Sequence, residues 1–259
     1  MTVFLVRSLP GQYNQDEVHL THSHQEKSWT HSWDYPDESL VSVLWNQSKN
    51  TLYLQLMAFV VVLVGAASLS LLALRAKFFS LILQIFLEVG GATPALLIVP
   101  LLIYIFSLKM GWLPLRFEPT VLGWILPLLA LVFRPLCLAT QILLDAWKKT
   151  EFQNYFLVAR SKGLSQMQVY IRHGLKNALV PFTSQMGTFL VQSLTGSVLV
   201  ETLFSFPGMG KLFVESLQHR DLPLILVLTL LYAFLMIFIQ FISEIAQKKL
   251  EPRERFLLT

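Results

Sequence analysis

Long apolar runs, each about as long as a membrane crossing, alternate along this chain with short segments rich in polar and basic side chains. A helix rises about 1.5 Å per residue, so roughly 20 apolar residues cross a hydrocarbon core about 30 Å thick. Four runs meet that requirement with few charges: Thr51 to Leu74, Phe79 to Leu108, Val121 to Leu144 and Pro223 to Ile245. Each predicts a membrane-spanning helix. A fifth run, Ala178 to Phe204, carries Thr183, Ser184, Gln185, Thr188, Gln192, Ser193, Thr195 and Ser197. Such side chains are costly against lipid but bond across helices or line a wet cavity. This run therefore predicts a span facing the bundle interior, with Gln185, Thr188, Gln192, Ser193 and Glu201 as candidates to line a pathway. Pro94, Pro100, Pro127 and Pro135 fall inside runs, where they predict either hinge points or kinks that packing tolerates.

Composition agrees with this pattern: 54% of the 259 residues are hydrophobic and only 14% are charged, outside the range of a soluble domain. The expected fold is an all-α, polytopic membrane helix bundle, with residues 51–259 as the membrane domain and residues 1–50 as a polar head. Cys137 is the only cysteine and lies in an apolar run, which excludes a disulfide framework or a thiolate metal site. The net charge of +4 is unevenly placed. Assigning the loops alternately puts Arg75, Lys77, Lys148, Lys149, Arg160, Lys162, Arg172, Lys176, Lys248, Lys249, Arg253 and Arg255 on one side. The other side holds Arg7, Lys27, Lys49, Lys109, Arg116, Lys211 and Arg220 in longer segments. The denser side is expected to be cytoplasmic. The head then lies outside, which requires either a preceding span, of which Val3-Phe4-Leu5-Val6 reads like the outer end, or unaided translocation of an acidic segment. Nucleic acid is not an expected partner.

Within the loop at about 148–177, Phe152, Tyr155, Phe156 and Ala159 recur at the spacing of one helix face. Gly163 then supplies the left-handed residue that ends a helix, and Leu164 stands where the hydrophobic contact of such a cap falls. Ser165 with Gln168 forms a capping-box pattern that opens a second helix running toward Leu175. Two short helices meeting at a glycine make an elbow carrying Arg160, Lys162, Arg172 and Lys176. On these residues alone the elbow is equally a docking surface or an ordinary loop made basic by the topology rule.

The segment Tyr155 to Pro181, reading YFLVARSKGLSQMQVYIRHGLKNALVP, resembles the cytoplasmic signature loop of permease subunits in ATP-binding-cassette importers, the dipeptide, oligopeptide and nickel subfamily in particular. Val200 to Gly210 is similar to that subfamily's ETxFSxPGxG run, Arg220-Asp221-Leu222-Pro223 to its RDYP, and Leu250 to Phe256 to its LDPRxRY ending. Where the broad signature has Glu-Ala-Ala, this chain has Leu157-Val158-Ala159, so a carboxylate contact is not carried over. The family's first span has no counterpart, and its outer segment is longer. The resemblance implies that cytoplasmic ATPase subunits dock on Ala159, Arg160, Ser161, Lys162, Gly163, Leu164, Ser165 and Gln168. It also implies that Phe206, Pro207, Gly208, Gly210, Asp221 and Pro223 shape a turn re-entering the outer mouth.

Other candidates lie outside these motifs. His19, His22, His24 and His31 sit close together in the head, a spacing that suits either a zinc, nickel or copper site or a solvated loop. Pro207-Gly208-Met209-Gly210-Lys211 lacks the first glycine and the Ser or Thr of a phosphate loop. Arg134 is the one basic residue within a span, placed either to touch a substrate carboxylate or to snorkel toward an interface; Glu88 raises the same question. The chain holds no GxSxG, HExxH or Walker sequence, so no catalytic residue is expected and the chain is not expected to be an enzyme.

The resemblance implies a multi-pass subunit of a bacterial inner-membrane importer that moves peptides, nickel or a related small solute by alternating access. Its partners would be a second permease subunit, two ATP-binding subunits carrying ATP and Mg, an external solute-binding protein and the lipid bilayer. This chain itself would bind no cofactor. The alternatives are an ATP-independent secondary transporter or channel, expected to show paired intramembrane charges or inverted repeats, and a non-transporting scaffold derived from a permease.

Overall fold

The apolar runs form long helices whose ends are set by identifiable capping residues and prolines. The computed structural model describes residues 32, 38–74, 77–151 and 153–250. Helix α1 (Leu40–Ala73) begins where the Ser39 hydroxyl accepts from the Ser42 amide at 3.2 Å, a standard N-cap arrangement. It therefore starts well before the apolar stretch at Thr51, and residues 46–50 form a polar helical turn continuous with the span.

The run from Phe79 to Leu108 is not one straight helix. Helix α2 (Lys77–Ala92) and helix α3 (Ala95–Leu102), the latter prolonged by π-helical turns over Ile103–Lys109, meet at an angle of 108°. Pro94 causes the break. Its ring disfavours helical geometry at Thr93, and it offers no amide to continue the ladder. Thr93 closes α2 by turning both its amide (3.0 Å) and its hydroxyl (2.6 Å) onto the Val89 carbonyl. By contrast, α4 (Val121–Glu151) runs unbroken through Pro127 and Pro135, so of the four prolines only Pro94 splits its run.

Three further elements build the elbow: α5 (Asn154–Ser161), α6 (Gln166–Val169) and π-helical turns over Tyr170–Gly174. These lead without interruption into α7 (Leu175–Leu203). The second elbow helix therefore does not stop near Leu175 but is the first part of a span. Helices α8 (Met209–His219) and α9 (Leu222–Leu250) complete the described order.

Helix α4 is central, packing against α1, α7 and α2, while α9 lies against α7 and α8. The largest cluster of buried side chains joins Leu54, Val62, Leu126, Leu143, Trp147, Tyr170, Phe182 and Phe206. Polarity is inverted relative to a water-soluble protein. Val41, Leu56, Leu81, Leu96, Leu230 and Ile237 are exposed, whereas Thr51, Ser70, Thr140, Ser197, Glu201 and Asp221 are buried. Helices α1, α4 and α9 are long and apolar enough to cross a membrane, and the bent α2–α3 pair qualifies as one broken span. Helix α7 is long enough but too polar to qualify on composition.

Candidate functional site: the elbow and the opposite mouth

The bundle has two ends. At one, the finish of α1 and α4 meets the elbow, as Trp147 Nε1 donating to Ser70 Oγ at 3.2 Å shows. At the other, the starts of α1 and α9 and the end of α7 gather around α8.

The elbow is closed by neighbours in sequence. Gly163 has φ +83°, a conformation that penalises any side chain. Nothing stands within 4 Å of where its Cβ would be, so backbone conformation, not space, selects glycine there. The amide of Leu164 reaches back to the Ala159 carbonyl at 3.4 Å and that of Gly163 to Arg160 at 3.0 Å. This is the paired closure of a Schellman turn. Leu164 and Ala159 both pack on the main core, supplying the hydrophobic contact that accompanies such a cap. Across the turn, the Ser165 amide donates to Gln168 Oε1 at 2.9 Å and the Gln168 amide to Ser165 Oγ at 3.4 Å. The capping box expected from the spacing is formed.

Phe156 and Ala159 are buried, while Leu157 (64% exposed), Val158 (53%) and Ile171 (53%) face outward with Arg160, Ser161, Lys162 and Arg172. The result is an apolar ridge within a basic rim. Arg160 also serves the elbow itself, donating from Nη1 to the Leu164 carbonyl at 3.2 Å. Underneath, Tyr170 meets Trp147 edge-on (5.7 Å between centroids) and Phe156 at 5.5 Å, and its hydroxyl donates to Glu151. Trp147 and Tyr170 are fully buried. Phe156 stands out in the sequence by its helix-face spacing, but Trp147 and Tyr170 do not, since a Trp beside two lysines reads as an interfacial anchor and not as the bearing on which the elbow rests.

The mouth is closed by residues distant in sequence. Glu201 had been expected to line a pathway. It is instead fully buried and caps α8: Gly210 N donates to its Oε2 at 2.6 Å, Lys211 N to the same oxygen at 3.3 Å, and Thr51 Oγ1 to Oε1 at 2.9 Å. The Thr51 hydroxyl accepts in turn from the Met209 amide at 2.8 Å, and Asn50 Nδ2 donates to the Pro207 carbonyl at 2.6 Å. A helix N-terminus presents unsatisfied amides and partial positive charge, which a carboxylate matches.

The two glycines of the motif follow from the same closeness. A Cβ on Gly208 would run into the Glu201 carboxylate and the Thr51 hydroxyl, and one on Gly210 would stand 2.5 Å from Val198 Cα. Phe206 is buried between Phe117 (4.7 Å) and Trp124 (4.9 Å). Arg220, at φ +59°, ends α8; Asp221 then opens α9, accepting the Leu224 amide at 3.2 Å and a bond from Ser32. Buried Pro223 follows within the first turn of α9.

The remaining candidates do not form one site. Gln185, Thr188 and Gln192 lie exposed along one face of α7, whereas Ser193 is turned inward and donates to Gln55 Oε1 at 2.8 Å. Arg134 is exposed, and its Nε donates at 3.2 Å to the Gly91 carbonyl, at the α2 terminus exposed by the Pro94 break. There it meets a carbonyl near the end of the helical ladder, where a cation is favourable. Its neighbour Pro135 lines a small apolar cleft between α1, α4 and α7, which Gln55 and Ser193 also line. Among the described residues no group of acidic, His or Cys side chains is arranged to hold a metal. His19, His22, His24, His31, Phe152 and the terminal motif from Glu251 to Phe256 lie outside the described residues.

Residues 62–256 match the family model for the binding-protein-dependent transport system inner membrane component. The chain is 33% identical over 164 residues to the dipeptide transport system permease protein DppB of Bacillus subtilis (strain 168), covering 63% of this chain and 53% of that protein. It is 30% identical over 230 residues to the oligopeptide transport system permease protein OppB of Haemophilus influenzae, covering 87% and 75%. It is 34% identical over 167 residues to the glutathione transport system permease protein GsiC of Pectobacterium atrosepticum, covering 64% and 55%. The matches to the dipeptide and glutathione relatives thus span about half of their length. The fold is shared with a solved amino acid ABC transporter crystallised with histidines, at TM-score 0.64 and 15% identity over 81% of this chain and 94% of that one. It is shared also with the MetNI methionine ABC transporter in inward-facing conformations, at TM-score 0.59 and 15% identity over 82% and 95%.

Proposed function

The chain belongs to the family of binding-protein-dependent transport system inner membrane components, multi-pass proteins of the inner membrane, and from that premise we propose that it is the transmembrane subunit of an ATP-driven peptide importer. Its substrate class follows the printed names of the dipeptide, oligopeptide and glutathione relatives. The observation that carries the reading is the elbow. A turn locked by a Schellman closure and a capping box presents an apolar ridge in a basic rim, and it continues through π-helical turns into a span.

Such a part suits force transmission. Its two closures resist local deformation, and Trp147, Tyr170 and Phe156 brace it from below, so displacement by a docked ATPase subunit passes into α7 and the bundle. Alternating access then needs two arrangements of rigid spans and a contact that biases one over the other. ATP and Mg belong to the docked subunits, an external binding protein supplies cargo, and a second permease subunit completes the passage. The concentration of Lys and Arg at the elbow end supports placing it on the cytoplasmic side.

The test is uptake in a strain lacking the native gene. Lys162→Glu combined with Arg160→Glu inserts in the membrane at normal levels but lowers substrate-dependent uptake at least tenfold, with the ATPase subunits no longer co-purifying. Normal uptake by the double variant removes the elbow from the mechanism.

A further inference from the structure

Helix α7 is joined to both ends of the molecule. Its first turn receives the elbow through Tyr170–Gly174, and its last full turn carries Glu201. At 29 residues it is about 43 Å long. We propose that Glu201 is a positioning residue that latches the mouth helix α8 to α1 and α7, so that the outer mouth follows the elbow as part of one rigid body.

Gly208 has no side chain to serve as a cap, yet the next three amides are satisfied. Met209 is met by Thr51 from α1, and Gly210 and Lys211 by Glu201 from α7. The capping groups of α8 thus come from two other helices. Lifting α8 would strand three amides and an unpartnered carboxylate inside a low-dielectric interior, which is strongly unfavourable. There is also no slack: the space between α8 and its neighbours does not admit a single methyl at Gly208 or Gly210. A second tie, Asn50 to the Pro207 carbonyl, acts on the preceding turn.

The chemistry at position 201 is demanding. Oε1 accepts from a hydroxyl and Oε2 from two amides, and the negative charge faces the α8 N-terminus. A carboxamide keeps the two amides only by turning its NH2 onto the Thr51 oxygen, which must then accept where it had donated, and it brings no charge to the helix end. Glu201→Gln, almost unchanged in volume, therefore weakens the latch by removing its charge. Thr51→Val removes the hydroxyl relay at similar volume, and Thr51→Ser keeps it.

The role in coupling rests on the importer reading; the latch itself is read without it. The test uses the full-length chain in lipid nanodiscs with Cys137→Ser, alone and with its ATPase partners. Spin labels are placed at exposed Val41 and Gln218 across the mouth, and at exposed Leu72 and Ser161 across the elbow. The expected result is that Glu201→Gln and Thr51→Val broaden the mouth distance distribution at least twofold, leave the elbow distribution unchanged, and abolish stimulation of ATP turnover by binding protein while basal turnover stays within twofold. Thr51→Ser behaves as wild type.

A mouth distribution as narrow in Glu201→Gln and Thr51→Val as in wild type overturns the latch, as does equal broadening at the elbow. Broadening at the mouth with stimulation intact overturns its coupling role. If the unmutated chain brings down no ATPase subunit, the importer reading falls, while the mouth and elbow distances of the chain alone still decide whether Glu201 holds α8. Should Glu201→Gln fail to insert, Thr51→Val and Thr51→Ser give the same discrimination.

Discussion

The elbow and the mouth both turn on glycine, for opposite physical reasons. At Gly163 the backbone is left-handed and the surroundings are open; at Gly210 the backbone of α7 lies where a methyl group would go. One glycine is chosen by torsion and the other by proximity. The supporting bonds divide in the same way. Those that close the elbow link residues three to five apart, whereas the mouth joins the bonds of Glu201 to amides nine and ten residues ahead with links from Thr51 and Asn50 to residues about 150 positions later. The elbow is a part whose closing bonds are all local. The mouth is a junction whose shape exists only while three helices stay together.

That contrast predicts unequal costs for the same substitution. Gly210→Ala forces a methyl against backbone and destabilises the fold by about 3 kcal/mol, whereas Gly163→Ala pays only for the left-handed torsion, about 1 kcal/mol. Thermal unfolding in detergent measures both. Equal shifts, or a larger one at Gly163, would break the distinction between torsion and proximity.

The same division explains what was legible in the sequence. Local closures leave local patterns: Gly163 after an amphipathic turn and Ser165 three residues before Gln168 were sufficient to place the elbow. The apolar runs likewise located the spans. The break at Pro94 was visible as a proline but not as a 108° bend, because Pro127 and Pro135 sit in an equally apolar run and leave α4 unbroken. Glu201 was misassigned for a related reason. A carboxylate among polar residues of an interior span reads as pathway lining, and its actual partners are the backbone amides of a later helix and Thr51, an unremarkable residue at the start of the first apolar run. Arg134 holding the Gly91 carbonyl was equally hidden, since its partner is main chain exposed only by the break.

The smallest effect expected at the mouth separates side chain from backbone. Lys211 pairs with Glu215 at 3.4 Å on the surface of α8, so Lys211→Ala costs less than about 0.5 kcal/mol, while the Lys211 amide goes on donating to Glu201. A melting shift as large as that of Gly210→Ala would show that the surface pair, and not the buried carboxylate, secures α8.

In the proposed function the elbow is the place where a separate motor grips the bundle. Cross-linking measures this most directly, using the assembled transporter in native membranes with Ser161→Cys as the only reactive thiol on this chain and a thiol-reactive linker. The expected result is an adduct with a nucleotide-binding subunit whose yield changes when ATP is added. No adduct with any nucleotide-binding polypeptide, together with labelling of that thiol by an impermeant reagent from the outer side, would contradict it.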